Sequence, residues 1–434
     1  MRAERLAAIF AVAACAALAS GCAGDERPFR LGVLTDCQGP FHAYEDAELS
    51  GIELPFVERG ARLRGPAPTN GVTDATAGGR KIQLVRGCAE TGEYTVFLEE
   101  ARRLVEKEHV DAIVGGNGPS IRDVARLYPT VPFIATFWDD QEVTLRDPAS
   151  NVYRFTTDYG QQVAGLGGYA YHDLGWRRAS ILAGDGSSGW AAAAAFIAEF
   201  CSLGGKIADE VYSSPWVPQK DVAGQALRSH PDGVAVLLTG LDGPLDLTRG
   251  VLRGLKDPPK QLLLTGPLVE DPSLLQPIAR RLDGVVSTSL IPVTAPTREL
   301  SDYRERYKMT FKGLPPSIGD FSFVLGYGDS VRALLAAVDE TGGDLSDGRR
   351  HLRRALARLR IDLPRGEVRL DSHRQAVTDV PLVTMRWENG ALVAKSLRVS
   401  HDVEQTFGGL LSAAPPPGPG TQKCVKTTPP RWAR

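Results

Sequence analysis

From Phe29 onward, strand-length apolar runs alternate with helix-length amphipathic runs, and the alternation is played through twice. This ordering restricts the chain more than any other feature. Strands separated by helices pair in parallel, and a parallel sheet is covered by helices on both faces. The first round reads FRLGVLT (strand), AYEDAELSGIELPFVERGARL (a helix interrupted at Pro55), KIQLVRG, the helix YTVFLEEARRLVEKEH, VDAIVGG, a helix from Ser120, and VPFIATFW. In the second of these helices Val96, Leu98, Ala101, Leu104 and Val105 recur at helical spacing with Glu and Arg between them. The second round opens at NVYRFTT and runs through a helix over 159–173, ASILAG, a helix from Trp190, KIADEVYS, a helix over 222–228, GVAVLLTG, a helix from Leu245, and QLLLTG. The rounds share a layout and not a sequence, so no internal repeat is read. The expected class is α/β, with two doubly wound, mostly parallel sheets.

The third part departs from this pattern. GVVSTSLIP reads as a strand leaving the second round, followed by helices in GDFSFVLGYGDSVRALLAAVDE and DGRRHLRRALARLR. Then come GEVRLD and a hairpin, VPLVTMRWENGALVAKSLRV, whose Asn389-Gly390 is a two-residue turn signal. A chain that passes between two lobes more than once produces this order, and crossings are expected near 154–156, 286–289 and 364–367. The implied division is 29–154 plus 289–363 for lobe 1, and 155–288 plus 364–410 for lobe 2.

The leader fixes the compartment. Arg2 and Arg5 precede an apolar run from Leu6 to Leu18 that is too short to span a bilayer and has the charge layout of a secretory signal. Ala19-Ser20-Gly21-Cys22 resembles the lipobox of bacterial lipoproteins, although Ala19 stands where Leu, Val or Ile is usual. The resemblance implies a signal peptide over 1–21, a diacylated Cys22 anchoring the protein to the cell membrane, and a short tether over 22–28; two acyl chains hold stably where one is marginal. An ordinary signal peptide with a released protein is the alternative. Either way the mature chain is extracytoplasmic, where disulfides form. Removing Cys15 and lipidating Cys22 leaves Cys37, Cys88, Cys201 and Cys424, which allow three pairings or four inert thiols. Cys37 follows one strand and Cys88 ends another that neighbours it in a doubly wound sheet, which favours Cys37–Cys88. Cys201–Cys424 is then what remains, and it would pin the Pro-rich tail, 411–434, to a mid-chain helix.

Several function classes are disfavoured. A net charge of −2 without Lys/Arg runs gives no electrostatic case for nucleic acid. The seven histidines lack ligand spacing and no C-x-x-C occurs, so no metal or cofactor is expected. AGDGSSGW contains G-x-G-x-x-G at Gly184, Gly186 and Gly189, between a strand and a helix, as a dinucleotide turn would. Against that reading, Val211 and Tyr212 continue the next strand beyond Asp209, an acid at a plausible distance, and Trp190 crowds the helix start. Ser187 and Ser188 lack the G-x-S-x-G elbow and no Cys/His pair is spaced for nucleophilic work, so an enzyme is not expected.

Together, FRLGVLTDCQGPFHAYEDAELSGIEL, ARRLVEKEHVDAIVGG and YRFTTDYGQQVAGLGGYAY…LGWRRASILAGD resemble the type I periplasmic binding protein family, and within it the substrate-binding components of branched-chain amino-acid ABC transporters. The likeness spans 29–399 and rests on order and hydrophobic pattern. It implies a monomeric two-lobed protein, joined by about three hinge crossings, that closes on a small organic solute and delivers it to an ABC permease. A ligand-sensing subunit of a receptor uses the same fold.

The ligand would lie at the carboxyl ends of the strands. In lobe 1 the turn 115–120 offers helix N–H groups with Asn117 and Ser120 beside them. Phe41 and Tyr44 are counted with this wall. The next strand ends in Phe137-Trp138-Asp139, where the family commonly has small residues and a Thr; Trp138 is placed to stack and Asp139 to receive an ammonium. In lobe 2, Asp185, Ser187, Ser188 and Trp190 occupy the turn that presents an aromatic residue in the family, and Leu241 and Asp242 follow another strand end. Leu268 stands where relatives that bind α-amino acids tend to place an acid after Gly-Pro. Amides, unusual amino acids and aromatic acids are therefore all admitted.

Overall fold

The computed structural model of the protein describes residues 27–39, 41–90, 93–116, 119–136, 141–146, 148–214, 221–238, 244–265, 272–289, 298–314, 322–414 and 418–434. In chain order the first strands are β1 (Phe29–Asp36), β2 (Arg62–Leu63), β3 (Val72–Thr73), β4 (Thr76–Ala77), β5 (Arg80–Ala89), β6 (Ala112–Gly115), β7 (Phe133–Ala135) and β8 (Val152–Arg154). They build a six-stranded sheet ordered β4-β5-β1-β6-β7-β8, with β2 and β3 forming a small separate ladder. The second lobe continues with β9 (Arg178–Gly184), β10 (Lys206–Ser213), β11 (Gly233–Leu237), β12 (Leu262–Leu264) and β13 (Val286–Thr288). These run β10-β9-β11-β12-β13 and are all parallel. The five parallel strands of each lobe are thus wound identically: second, first, third, fourth, fifth.

The pleat explains the near-continuous apolar runs. On β1, Leu31 and Val33 enter one core while Leu34 enters another on the opposite face; on β9, Ala179, Ile181 and Ala183 face one core and Leu182 the other. Each fully buried Leu, Ile or Val contributes roughly 1.5–3 kcal/mol over leaving it exposed. This is a two-lobed α/β fold with a core on each face of each sheet.

Four more strands, β14 (Arg360–Leu363), β15 (Gly366–Leu370), β16 (Ala376–Glu388) and β17 (Ala391–Val403), extend the second sheet antiparallel from β13. Asn389 (φ 52°) and Gly390 (φ 84°) close the β16–β17 hairpin, with Glu388 opposite Ala391. The helices Ser322–Glu340 and Arg350–Arg358 return to the first lobe, where Val331, Leu334, Leu352 and Leu356 share a core with Phe29 and Leu31. Leu363, Val368 and Ala376 join that same core, whereas Val380 and Leu382 join the second lobe's.

Some elements differ from the sequence reading. The helix expected over 159–173 is a single 3-10 turn, Gln161–Val163, and a separate helix, Leu166–His172, because Gly165 between them takes φ 92°. Pro55 does not interrupt its helix, which runs Glu45–Val57 and carries the proline in its final turn. The helix Arg298–Thr310 was not foreseen; its highly charged sequence hides Leu300, Tyr303 and Tyr307, which are buried against Ala47 and Leu54.

Fully buried polar side chains occupy the region where the chain passes between lobes. Arg154 Nε donates to Gln375 Oε1, and its Nη2 donates to Thr144 Oγ1 (2.8 Å). Gln375 Nε2 donates to Thr156 O and to Gln161 Oε1, both at 2.7 Å, while Gln161 Nε2 donates to Ala376 O (2.8 Å) and Val403 O (2.9 Å). Asp158 lies 3.9 Å from Arg154; burial pushes its carboxyl up to about 6, and the guanidinium holds it below where burial alone would take it. Cys37 is bonded to Cys88 and Cys201 to Cys424. The second bond clips the tail to the helix Ser187–Ser202, beside a hydrogen bond from Trp432 Nε1 to Glu199 Oε2 (3.0 Å).

Candidate functional site

A sheet wound second, first, third, fourth, fifth reverses its direction of growth between the first and third strands. Connecting helices then leave on opposite faces and open a crevice at the carboxyl ends. In the first lobe that point lies between β1 and β6, and a cavity is found there. Its wall comes from the ends of three strands: Thr35 and Asp36 of β1, Ala89 and Glu90 of β5, and Gly116 beyond β6. Ser120, in the first turn of the helix Pro119–Leu127, completes it.

Glycines make the close approach possible. Gly115 and Gly116 take φ of 110° and 90°, in the left-handed half of the map. A Cβ on Gly115 would stand 2.1 Å from Leu34 O, and one on Gly116 2.3 Å from the Phe97 ring. The strand end therefore lies directly against β1 and Phe97. Beneath it, Tyr327 OH donates to Leu34 O at 3.0 Å.

The floor is acidic. Asp36 N–H donates to Glu48 Oε2 at 2.8 Å, and Glu48 is fully buried. Burial first, then the neighbouring Asp36 charge, pushes the Glu48 carboxyl well above its ordinary value. Glu90 and Glu93 line the mouth. The cavity is small, about 10 Å³, and its lining combines carboxylates with a helix start, groups that suit an ammonium and a carboxylate respectively.

In the second lobe the corresponding reversal lies between β9 and β11. Asp185 follows β9 directly; it is exposed, and its N–H donates to Ser213 O at 2.7 Å. Ser187 and Ser188 are half-buried in the first turn of the helix Ser187–Ser202. Trp190 is half-buried, and its Nε1 donates to Asp185 Oδ1 at 3.1 Å, which fixes the indole at the strand end. The glycine pattern now has a mechanical cause. A Cβ on Gly189 would stand 2.1 Å from Gly184 O, so this glycine lets the helix start seat on its strand, whereas nothing lies within 4 Å of a Cβ on Gly186.

Among the other residues read from the sequence, Phe41 and Tyr44 flank a 3-10 turn before the helix Glu45–Val57, with ring centroids 6.2 Å apart and Tyr44 exposed. Among the described residues, Ser120 is the one sequence candidate that lines the cavity. Asn117, Phe137, Trp138, Asp139, Leu241, Asp242 and Leu268 lie outside the described residues, as does Cys22. Asp36, Glu90, Glu93, Phe97 and Tyr327 were not foreseen. Asp36 was within reach of the strand-end argument that singled out 115–120, since it directly follows the predicted strand FRLGVLT. Among the described residues no group of His, Cys, Asp and Glu is placed to hold a metal ion, and no helix is long and apolar enough to cross a membrane.

Comparison with known proteins agrees with this geometry. A sequence model described as "Periplasmic binding protein" matches residues 28–391. No curated protein matches. Among solved structures, an ABC transporter substrate-binding protein from Sphaerobacter thermophilus is 22% identical with a TM-score of 0.72, covering 87% of this chain and 99% of its own. A solute-binding protein of an ABC transporter from R. palustris, in complex with 4-hydroxybenzoate, is 19% identical with a TM-score of 0.72, over 87% and 98% of the two chains. A leucine-binding protein from Thermotoga maritima is 21% identical with a TM-score of 0.65, over 85% and 98%. Two identically wound lobes, a cavity at the reversal point of the first and a family match over most of the chain lead to one assignment: this chain belongs to the type I periplasmic binding proteins, the extracytoplasmic solute-binding components of ABC transporters.

Proposed function

We propose that the protein is a lipid-anchored receptor for an amino acid or amino-acid-like solute, which it captures by hinge closure and delivers to an ABC permease. The observation that carries this reading is the mixed polarity of the first-lobe cavity. Asp36, Glu90 and Glu93 would repel a simple benzoate and attract an ammonium, while the helix start at Ser120 suits a carboxylate. A zwitterion satisfies both ends; the hydroxybenzoate seen in the R. palustris protein satisfies one.

In this reading Phe41, Tyr44, Asn117, Ser120, Phe137, Trp138 and Asp139 contribute from lobe 1, and Asp185, Ser187, Ser188, Trp190, Leu241, Asp242 and Leu268 from lobe 2. A ligand drives closure only through contacts it gains in the closed form, so both walls are needed. The lobes are drawn as 29–154 with 289–363 and 155–288 with 364–410. Cys22 carries the lipid anchor and 22–28 the tether.

Native mass spectrometry of freshly purified protein for a co-purifying solute, followed by calorimetry against panels of amino acids and benzoates, tests the reading. Binding of amino acids and not benzoates is expected. A benzoate bound more tightly than every amino acid tested would overturn the solute class.

A further inference from the structure

A second cavity lies on the first lobe away from the crevice and shares no lining residue with it. It measures about 590 Å³ and opens between the helix Glu45–Val57, strand β5 and the β2–β3 ladder. Its lining is mixed: Val33, Leu49, Ile52, Val72, Ile82 and Leu84 supply an apolar part, and Arg64, Asp74, Lys81 and Arg86 are among the polar groups beside it. One acid sits on the apolar part. Glu53 lines the cavity on the same helical face as Leu49 and Ile52, is 1% exposed, and has no hydrogen-bond partner for its Oε2. A buried carboxyl without a partner costs stability, and an apolar side chain of similar size would fill this position more cheaply.

Two of the three cations lining the chamber are already engaged. Arg86 donates to Glu45 Oε1 and to Thr69 O (3.3 Å), and Arg64 donates to Val72 O (3.1 Å). Glu53 Oε2 is therefore an unclaimed acceptor inside a roomy chamber of mixed lining.

We propose that this chamber is a second ligand site, distinct from the inter-lobe crevice, that takes a small organic amine with an apolar body and seats its ammonium on Glu53. The apolar body covers the wall residues, and the ammonium supplies the charge and donors that the carboxylate lacks. Burial pushes the Glu53 carboxyl up to about 8; the Arg86 charge works against that shift and Asp46 adds to it. Arg64, Lys81 and Asp74 are the other charged groups lining the chamber. Binding an ammonium near neutral pH thus ionises Glu53 and releases its proton. The affinity for an amine falls about tenfold for each pH unit below 8.

The test uses benzylamine as probe and benzyl alcohol as its uncharged counterpart, by calorimetry on the whole protein between pH 6 and 8.5. Benzylamine is expected to bind with proton release and with the stated pH dependence, and benzyl alcohol at least about tenfold more weakly. Glu53→Gln, which keeps the volume, and Leu84→Trp, which fills the chamber, are each expected to weaken benzylamine roughly tenfold or more. Asp36→Asn in the crevice should leave it within about twofold. Absence of benzylamine binding at every pH, equal binding by Glu53→Gln, or parity of benzyl alcohol would overturn the site. Loss of benzylamine in Asp36→Asn with retention in Glu53→Gln would place the amine in the crevice, refuting this proposal while leaving the solute-binding reading intact. Should both chamber variants fail to fold, a pH-independent affinity in the unaltered protein refutes it alone.

Discussion

Replacing Gln375 by leucine removes the centre of the buried network between the lobes while conserving volume. Gln375 Oε1 accepts from Arg154 Nε and Thr144 Oγ1 (3.0 Å), and its Nε2 donates to Thr156 O and Gln161 Oε1. Two of these four partners have an alternative: Thr144 Oγ1 also reaches Gln405 Oε1 at 3.1 Å, and Gln161 Oε1 also accepts from Asp158 N–H at 3.0 Å. Arg154 Nε and Thr156 O lose this partner at sites that are 0% exposed. A buried group left unsatisfied costs about 1–3 kcal/mol, and a charged one more, so Gln375→Leu should destabilise the protein by about 3–5 kcal/mol. Urea denaturation followed in parallel by circular dichroism and by tryptophan fluorescence, which reports on buried Trp176 in the second lobe, measures this and shows whether the lobes unfold together. A loss below about 1 kcal/mol with an unchanged denaturant slope would refute the argument, because the network would then be exchanging its partners at no cost.

Other outcomes are equally specific. Glu53 and Asp158, raised to about 8 and about 6, bind protons more tightly folded than unfolded, so the stability they contribute is complete below their ordinary carboxylate range and is lost as pH rises through those values. Thermal unfolding from pH 4 to 9 should show this decline, and Glu53→Gln should abolish its upper part. Gly116→Ala, forced into φ 90° with its Cβ against Phe97, should cost about 2 kcal/mol or more and weaken solute binding; unchanged melting would contradict the close approach. Trp190→Ala should weaken solute binding about tenfold without unfolding the protein, which calorimetry with the identified solute checks. Breaking Cys201–Cys424 by paired serine substitutions opens a 223-residue separation and should cost several kcal/mol, with about 5 kcal/mol as the chain-entropy ceiling.

Much of the fold could be read from the sequence because parallel strands announce themselves. The run GVAVLL is apolar on every residue and ASILAG on all but Ser180, since both faces of their sheet are covered, and the helices between them repeat at a different period. The helix Arg298–Thr310 escaped for the opposite reason. Only three of its side chains are buried, and Ser, Asp, Arg and Glu fill the positions between them. The break at Gly165 follows from a left-handed backbone that no hydrophobic pattern encodes. At the site, strand ends were legible as places and not as chemistry. Ser120 was found because glycines and a proline mark its turn, whereas Asp36 and Glu90 look like ordinary polar residues until the winding order puts β5, β1 and β6 side by side.

The clip at Cys424 has a practical consequence for following movement. Phe29 opens the sheet of one lobe, and Trp432 is fastened to a helix of the other, so the two extremities of the polypeptide ride on different bodies. A pair of fluorophores near Pro28 and Arg434 would therefore register any swing of one body past the other as a change in energy transfer. Reducing the clip would unfasten the acceptor dye and blur that signal while the bodies themselves moved as before.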